Sequence, residues 1–263
     1  MDPVHGTRTF QATGDAYDAF MGRYSRELAP AFADICVPKE GGRFLDVGCG
    51  PGALTTVAVD RLGAGSVAAV DPSPGFVEAC RTRHTGVDVR QAPAEVLPFG
   101  DGEFDGAGAQ LVFHFVSDPP KAASEMRRVM RSGGLVAATV WDMAEGMQML
   151  RYFWDAALSL DPRAPDQARA LRFGGAGELV ALFADAGLLD VQESTLSVAS
   201  TYGGFEELWN GFMQGIGPAG AYAVAQLPDT QSRLREALFE RLGRPSGSFT
   251  LTAASRVACG RVP

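Results

Sequence analysis

Three glycines at alternate positions, Gly48, Gly50 and Gly52, stand in the stretch Leu45-Asp46-Val47-Gly48-Cys49-Gly50-Pro51-Gly52-Ala53, between an apolar run and a helical pattern. Glycine lacks a Cβ, so such a loop turns tightly and brings its main chain close to a bound group. Gly48, Gly50 and Ala53 satisfy the spacing G-x-G-x-x-G/A, and Asp71 ends the next apolar run about 20 residues on. A carboxylate there can accept hydrogen bonds from both hydroxyls of a ribose. Two cofactors present a ribose to such a loop: a nicotinamide dinucleotide and S-adenosylmethionine (SAM). Asp46 distinguishes them. An anion just before the first glycine repels a pyrophosphate, whereas the ammonium and sulfonium of SAM are cationic. An NAD(P)-dependent oxidoreductase stays as the alternative from another enzyme class, and a SAM-binding module without catalysis as a third reading.

These residues need a scaffold that holds a loop between a strand and a helix. Apolar periodicity places strands at 43–47, 66–70, 87–89 and within 104–115, at 135–141, 191–199 and 249–259. Helical patterns lie between them at 53–62, from 74 through Phe76, Val77 and Cys80, and at 120–130, 146–160 and 177–186. Ser132-Gly133-Gly134 is read as the stop of the helix at 120–130. Strands alternating with helices predict a parallel sheet covered on both faces, a Rossmann-like three-layer α/β sandwich. An amphipathic helix at 15–35, with Tyr17, Phe20, Met21, Tyr24 and Leu28 on one stripe and a break or restart at Pro30, precedes the sheet. A helical insertion at about 205–242 exceeds what a minimal sheet requires.

Five motifs in order resemble the class I SAM-dependent methyltransferases, particularly the group similar to the ubiquinone/menaquinone-biosynthesis C-methyltransferases and their small-molecule relatives. They are the glycine loop, Val70-Asp71-Pro72-Ser73, Ala94-Glu95-Val96-Leu97-Pro98-Phe99 with Phe104-Asp105, Gln110-Leu111-Val112-Phe113-His114-Phe115 with Asp118-Pro119, and Arg128-Val129-Met130-Arg131-Ser132-Gly133-Gly134. The resemblance covers residues 15–142. It implies a seven-stranded sheet of order 3-2-1-4-5-7-6 with the last strand antiparallel, and helical lid additions. It also implies SAM as cofactor and a methyl group transferred to O, N or C of a small, largely apolar or aromatic molecule. The chain reads as a single domain, 1–263, with an N-terminal helical lid at 1–38, a cofactor-binding core at 39–142 and a C-terminal half at 143–263. In that half an insertion at about 204–243 forms a substrate cap.

Within this reading Asp71 and Pro72 meet the ribose, Gly48 and Gly50 let the methionine and ribose parts approach, and Asp46 faces the ammonium together with the backbone carbonyl of Gln110. Where the family commonly has Asp before Ala-Glu this chain has Pro93, so the adenine contacts pass to the amide of Ala94 and to Glu95. Phe76 packs on the adenine edge or between helix and sheet. Tyr17 and Tyr24, flanking Arg23, close over the methionine end or belong to a plain packed helix. Methyl transfer from a sulfonium is an in-line displacement with an excellent leaving group, so orientation and water exclusion carry most of it. His114 is the candidate base, with Asp142 as substitute. Trp141, Met147, Met149, Phe153, Trp154, Phe173, Trp209, Phe212 and Met213 are the candidate walls of the acceptor pocket, and Gly215–Gly220 has the composition of a hinge or tight loop beside Tyr222.

Composition supports the same class by exclusion. The 263 residues, 46% of them apolar, suffice for a core, and glycine is enriched at 32. Twenty-three basic against 31 acidic residues give a net charge of −8 without a basic footprint, which argues against nucleic acid as partner. The four cysteines form no C-x-x-C pair and His5, His84 and His114 are scattered, so no metal site is expected. A reduced, cytoplasmic chain, monomeric or homodimeric, without a leader or membrane span, is the resulting expectation.

Overall fold

The computed structural model describes residues 21–39, 41–166 and 171–263. The strands are β1 (Phe44–Val47), β2 (Val67–Asp71), β3 (Asp88–Gln91), β4 (Phe104–Gln110), β5 (Met130–Trp141), β6 (Leu189–Tyr202) and β7 (Phe249–Arg261). They form one sheet in the order β3-β2-β1-β4-β5-β7-β6. The neighbours from β3 through β5 pair in parallel, and β7 lies antiparallel between β5 and β6. This is the order and the antiparallel last strand that the sequence resemblance implies.

The helices are α1 (Arg23–Cys36), α2 (Ala53–Leu62), α3 (Pro74–Arg83), α4 (Pro119–Val129), α5 (Gln148–Leu160), α6 (Glu178–Asp185), α7 (Phe205–Phe212), α8 (Gly217–Ala225) and α9 (Pro228–Arg241). Alternation along β1 assigns the layers. Phe44 packs with Phe32, Cys36, Leu54 and Ala58 of α1 and α2 on one face. Leu45 and Val47 pack with Ala123 and Met126 of α4 and Leu182 and Phe183 of α6 on the other. A strand buried on both faces reads as a continuous apolar run. Asp46 interrupts that run, and it lies on the α2 side, where Thr55 meets it.

Small residues on β4 let the first layer come close. A Cβ on Gly106 would stand 2.6 Å from the Cys36 carbonyl oxygen, and one on Gly108 would stand 2.9 Å from Leu54 Cδ2. Gly108 is also the register partner of Asp46. The end of α1 and the start of α2 therefore rest almost on the sheet backbone.

Three expectations change. α1 runs unbroken through Pro30. Its neighbours Leu28, Ala29, Phe32 and Ala33 are fully buried while Pro30 faces solvent, so packing holds the helix where the ring removes a hydrogen bond. The Ser132-Gly133-Gly134 segment is a bulge inside β5. Met130 pairs with Phe104 and Leu135 with Gly106, and Gly133 takes φ 77° between them. Lastly, the aromatic and methionine set of the second half is core. Trp141, Met147, Met149, Phe153, Trp154, Trp209 and Phe212 are buried in one cluster joining α1, α5 and α7–α9, with Phe153 stacked on Phe212 at 4.3 Å. Met213 packs against this cluster and Phe173 against the core on the other face of the sheet. Three inserted helices must bury their own apolar faces, and these side chains do so. Gly215 and Gly217, at φ 72° and 63°, connect α7 to α8, and a Cβ on Gly220 would stand 2.8 Å from the Gly215 carbonyl carbon, so the glycine segment is a tight crossing. Among the described residues no helix is long and apolar enough to cross a membrane.

Gly106→Ala tests the close approach. The Cys36 carbonyl belongs to a packed helix end and cannot swing aside, so the substitution should lower unfolding free energy by about 1–3 kcal/mol in urea titration.

Candidate functional site

A cavity of about 950 Å³ opens beyond the carboxyl ends of β1, β2 and β4, the place where open α/β sheets bind ligands. The residues following those strands line it. Among them the structure brings together Asp46, Gly48, Gly50, Asp71, Pro72, Phe76, Ala94, Glu95 and Gln110.

The glycine loop forms because its backbone needs conformations other residues resist. Gly48 has φ 72° and Gly50 φ 52°. The Gly48 and Cys49 amides both donate to the Val70 carbonyl at the end of β2, at 2.8 and 2.9 Å, which closes the loop onto the neighbouring strand. A Cβ on Gly48 would collide with Val112 at 2.4 Å, whereas one on Gly50 would meet nothing within 4 Å. Gly50 thus presents bare backbone to open space.

Two carboxylates flank that loop. Asp71, 6% exposed, accepts from the Gly50 amide at 2.9 Å through Oδ2 and from the Ser73 amide at 2.8 Å through Oδ1. Each oxygen keeps a lone pair for a further donor. Burial raises the Asp71 carboxyl above its ordinary value, and the two amides oppose that rise. Asp46 is 1% exposed; its Oδ2 accepts from the Thr55 hydroxyl at 2.6 Å and its Oδ1 has no partner. Burial pushes the Asp46 carboxyl up to about 7; the Thr55 hydrogen bond pulls it down and the charge of Asp71 adds to the rise. A buried carboxylate with an unsatisfied oxygen is costly, and a cation above it relieves the cost.

Glu95, on the cavity wall, also holds backbone beyond β4. Its Oε1 accepts from the Ser117 and Asp118 amides at 3.0 and 3.2 Å, tying the loop beyond β4 to the cavity wall. Gln110 donates through Nε2 to the Ser25 carbonyl at 2.9 Å, and its Oε1 is buried without a partner. Sequence reasoning missed Ser25, Leu111, Val112, Val116 and Lys121 on this wall. Leu111 carries a signal only a structure shows, a φ of 64° in a non-glycine residue.

Three expected side chains lie elsewhere. Tyr24 is fully buried, shares a hydrogen bond with the Tyr202 hydroxyl at 3.1 Å and sits edge-on to Trp141. Packing under β6 takes it away from the cavity wall. His114 has Nδ1 2.5 Å from the Arg172 carbonyl oxygen and Nε2 3.2 Å from that of Trp141, and is 7% exposed. Both ring nitrogens face main-chain oxygens, so neither offers a lone pair to a substrate. Burial lowers its pKa and the two carbonyls oppose the shift. Asp142 accepts from Arg256 and from the Glu145 amide, both at 3.1 Å. Tyr17 lies outside the described residues.

The residues present fit SAM. An uncompensated buried carboxylate suits its cationic methionine end, Asp71 suits the ribose hydroxyls, and the open face of Gly50 admits the groups between them. A pyrophosphate over Asp46 would place anion on anion.

Residues 45–138 match the family described as a methyltransferase domain. A malonyl-[acyl-carrier protein] O-methyltransferase of Geobacter sulfurreducens is 33% identical over 182 residues, 68% of this chain and 66% of that protein. A phthiotriol/phenolphthiotriol dimycocerosates methyltransferase of Mycobacterium ulcerans is 34% identical over 121 residues, 45% of each chain. The chain spans from 36% to 66% of the length of the first curated relatives it matches. Among solved structures, one from Anaeromyxobacter dehalogenans assigned to the type II methyltransferases shares the fold with TM-score 0.63 at 22% identity, covering 90% of this chain and 96% of that one. A Haemonchus contortus phosphoethanolamine N-methyltransferase solved with S-adenosyl-L-methionine gives TM-score 0.58 at 15% identity, covering 97% of this chain and 58% of that one. The sheet order and the cofactor loop define a Rossmann-like cofactor-binding fold. The chain carries a class I SAM-dependent methyltransferase domain.

The Asp46 carboxyl makes a pH prediction. Its folded-state value of about 7 lies above the unfolded value of ~4, so between these the folded form holds a proton the unfolded chain has released. The contribution of this group to stability of the ligand-free protein therefore falls as pH rises through that window. A bound ammonium favours the ionised form, so affinity for S-adenosylhomocysteine should rise from pH 6 to about 7 and level off above it. Calorimetric titration across pH checks this, and Asp46→Asn should flatten that part of the profile.

Proposed function

We propose that this protein is a SAM-dependent methyltransferase acting at O, N or C of a small, largely apolar molecule. The observation that carries the reading is the buried carboxylate of Asp46, unpartnered at Oδ1, in the wall of a cavity that Asp71 and the bare backbone of Gly50 also line. That combination attracts a cationic, ribose-bearing ligand and disfavours a dinucleotide. When bound, SAM supplies a methyl group already activated by its sulfonium.

The chain's own residues would orient and desolvate. Each carboxylate on the cavity wall already serves the fold. Asp46 holds Thr55, Asp71 holds the Gly50 and Ser73 amides, Glu95 holds the Ser117 and Asp118 amides, and Asp118 caps α4 by accepting from the Lys121 amide. None is set apart as a general base, which suits a displacement whose leaving group needs no proton. Leu111, Val112, Phe115 and Val116 provide an apolar wall on the β4 side. They support an acceptor with an apolar body and a site from which water is squeezed out on binding. In this reading residues 39–142 hold the cofactor within one catalytic domain.

Incubation with methyl-labelled SAM and a panel of phenols, carboxylic acids, amines and quinols tests the proposal. Oxygen acceptors come first because the Geobacter sulfurreducens relative is an O-methyltransferase. Label should appear in at least one acceptor class. A protein without affinity for SAM or S-adenosylhomocysteine in calorimetry would sink the reading. Asp71→Ala should weaken cofactor binding by about 1–3 kcal/mol, the cost of losing a charged acceptor. His114→Ala should leave the pH profile of turnover unchanged while lowering thermal stability, since its buried ring is packed between the Arg172 and Trp141 carbonyls.

A further inference from the structure

The inserted helices α7–α9 fill their own core, and the methyl-transfer reading gives them no task. One side chain connects them to the cofactor site. Glu207 of α7 accepts from Arg23 of α1 at 2.7 Å through Oε1 and from the Gly203 amide at 2.6 Å through Oε2. Arg23 uses the same nitrogen, Nη2, to donate to the Thr201 carbonyl at 3.1 Å, and its guanidinium lies 3.9 Å from the centre of the Tyr202 ring. An exposed ion pair holds little by itself. Here the Arg23 side chain is only 20% exposed and meets an acid, a carbonyl and an aromatic face together. The next residue, Tyr24, shares a hydrogen bond with the same Tyr202.

We propose that the insertion sets the cofactor site from a distance: Glu207 clasps Arg23, and the first turn of α1, so held, keeps Ser25 and Gln110 in the arrangement that receives the amino-acid end of the cofactor. This rests on the cofactor reading above. Neither Arg23 nor Glu207 lines the cavity, whereas Ser25, two residues along α1, does. The Ser25 carbonyl accepts from Gln110 Nε2 at 2.9 Å. That bond fixes the Gln110 amide, because a carbonyl oxygen repels the amide oxygen and attracts its N–H. Nitrogen is turned to α1, and Oε1 is left as an unpartnered acceptor. Gln110 lies two residues past Gly108, the register partner of Asp46, so Asp46 and Gln110 share one face of neighbouring strands. Both hold an oxygen without a partner, and an ammonium has donors for both. With Ser25 displaced the amide is free to turn, and an N–H in place of Oε1 repels a cation.

The start of α1 depends on this hold. No side-chain hydrogen bond caps the helix, and no acid stands in its first turn. Its later residues Phe32, Ala33 and Cys36 pack with Phe44 of β1 and with Leu54 and Ala58 of α2, so the far end is fixed independently. The first turn is tied instead to β6 and α7, by Arg23 to Thr201 and Glu207 and by Tyr24 to Tyr202. The Gly203 amide and Arg23 hold the Glu207 carboxyl below its ordinary value, so the acid is charged throughout the neutral range. Because Gly203 belongs to the link between β6 and α7, the insertion and the edge of the sheet grip α1 as one unit.

Calorimetry on the full chain compares S-adenosylhomocysteine with methylthioadenosine, which keeps the adenine, ribose and sulfur but lacks the amino-acid part. Glu207→Gln removes the charge and keeps an oxygen for the Gly203 amide, and Arg23→Met keeps much of the length of the arginine stem. Well below its unfolding transition, each variant should bind S-adenosylhomocysteine several-fold more weakly than the parent chain and methylthioadenosine within about twofold of it. The double variant should bind S-adenosylhomocysteine within about twofold of Arg23→Met alone, the mark of two residues acting through one contact. Unchanged S-adenosylhomocysteine affinity, equal losses for the two ligands, or additive losses in the double variant each overturn the proposal. Hydrogen exchange in the ligand-free protein reads the clasp without any cofactor: amides of residues 23–29 should exchange several-fold faster in Glu207→Gln, and unchanged exchange there also overturns it. A parent chain that binds neither ligand would count against the cofactor reading, while the exchange result still reads the clasp.

Discussion

A carboxylate buried in the middle of a sheet constrains everything around it. Asp46 sits in β1 with strands on both sides and α2 above, one of its oxygens held by Thr55 and the other unsatisfied. Its site combines a small register partner, Gly108, with a helix whose third residue reaches down to donate a hydroxyl. The cost of that burial is expressed in a carboxyl that ionises only near pH 7. A cation held at this place would offset that cost.

The rest of the wall follows a common pattern in which acidic side chains bind main-chain amides. Asp71 fastens Gly50 and Ser73, Glu95 fastens the turn after β4, and Asp118 starts α4. Charge-assisted bonds to backbone N–H groups are strong and hold loops in place where regular pairing has ended. Cavity-lining acids thus act through position, with the two flanking the glycine loop also shaping the field a ligand feels. The Cys80 thiol joins the same network by donating to the Thr55 hydroxyl at 3.8 Å.

Much of this was legible along the chain. The layers and strand order follow from apolar runs alternating with helical periods and from five ordered motifs. Glycine at 48 and 50 and acids at 46 and 71 announce a cofactor loop because their conformational and electrostatic needs are local. Other expectations failed where a local pattern had two tertiary outcomes. An aromatic stripe reads alike whether it lines a pocket or fills a core, and Phe153, Trp154 and Phe212 fill one. A histidine at the end of β4 reads as a base until two carbonyls from distant segments occupy its ring. Pro30 reads as a break until buried neighbours hold its helix together.

The sequence by itself determined the class of fold, the glycine loop and the two acids beside it, because those depend on residues close in sequence and on backbone freedom. Tertiary structure alone decided which side chains face the cavity, that Glu95 ties a loop, and that Tyr24 and His114 are engaged elsewhere. Side-chain direction and hydrogen-bond partnership across tens of residues depend on how the layers close, and no spacing along the chain encodes them.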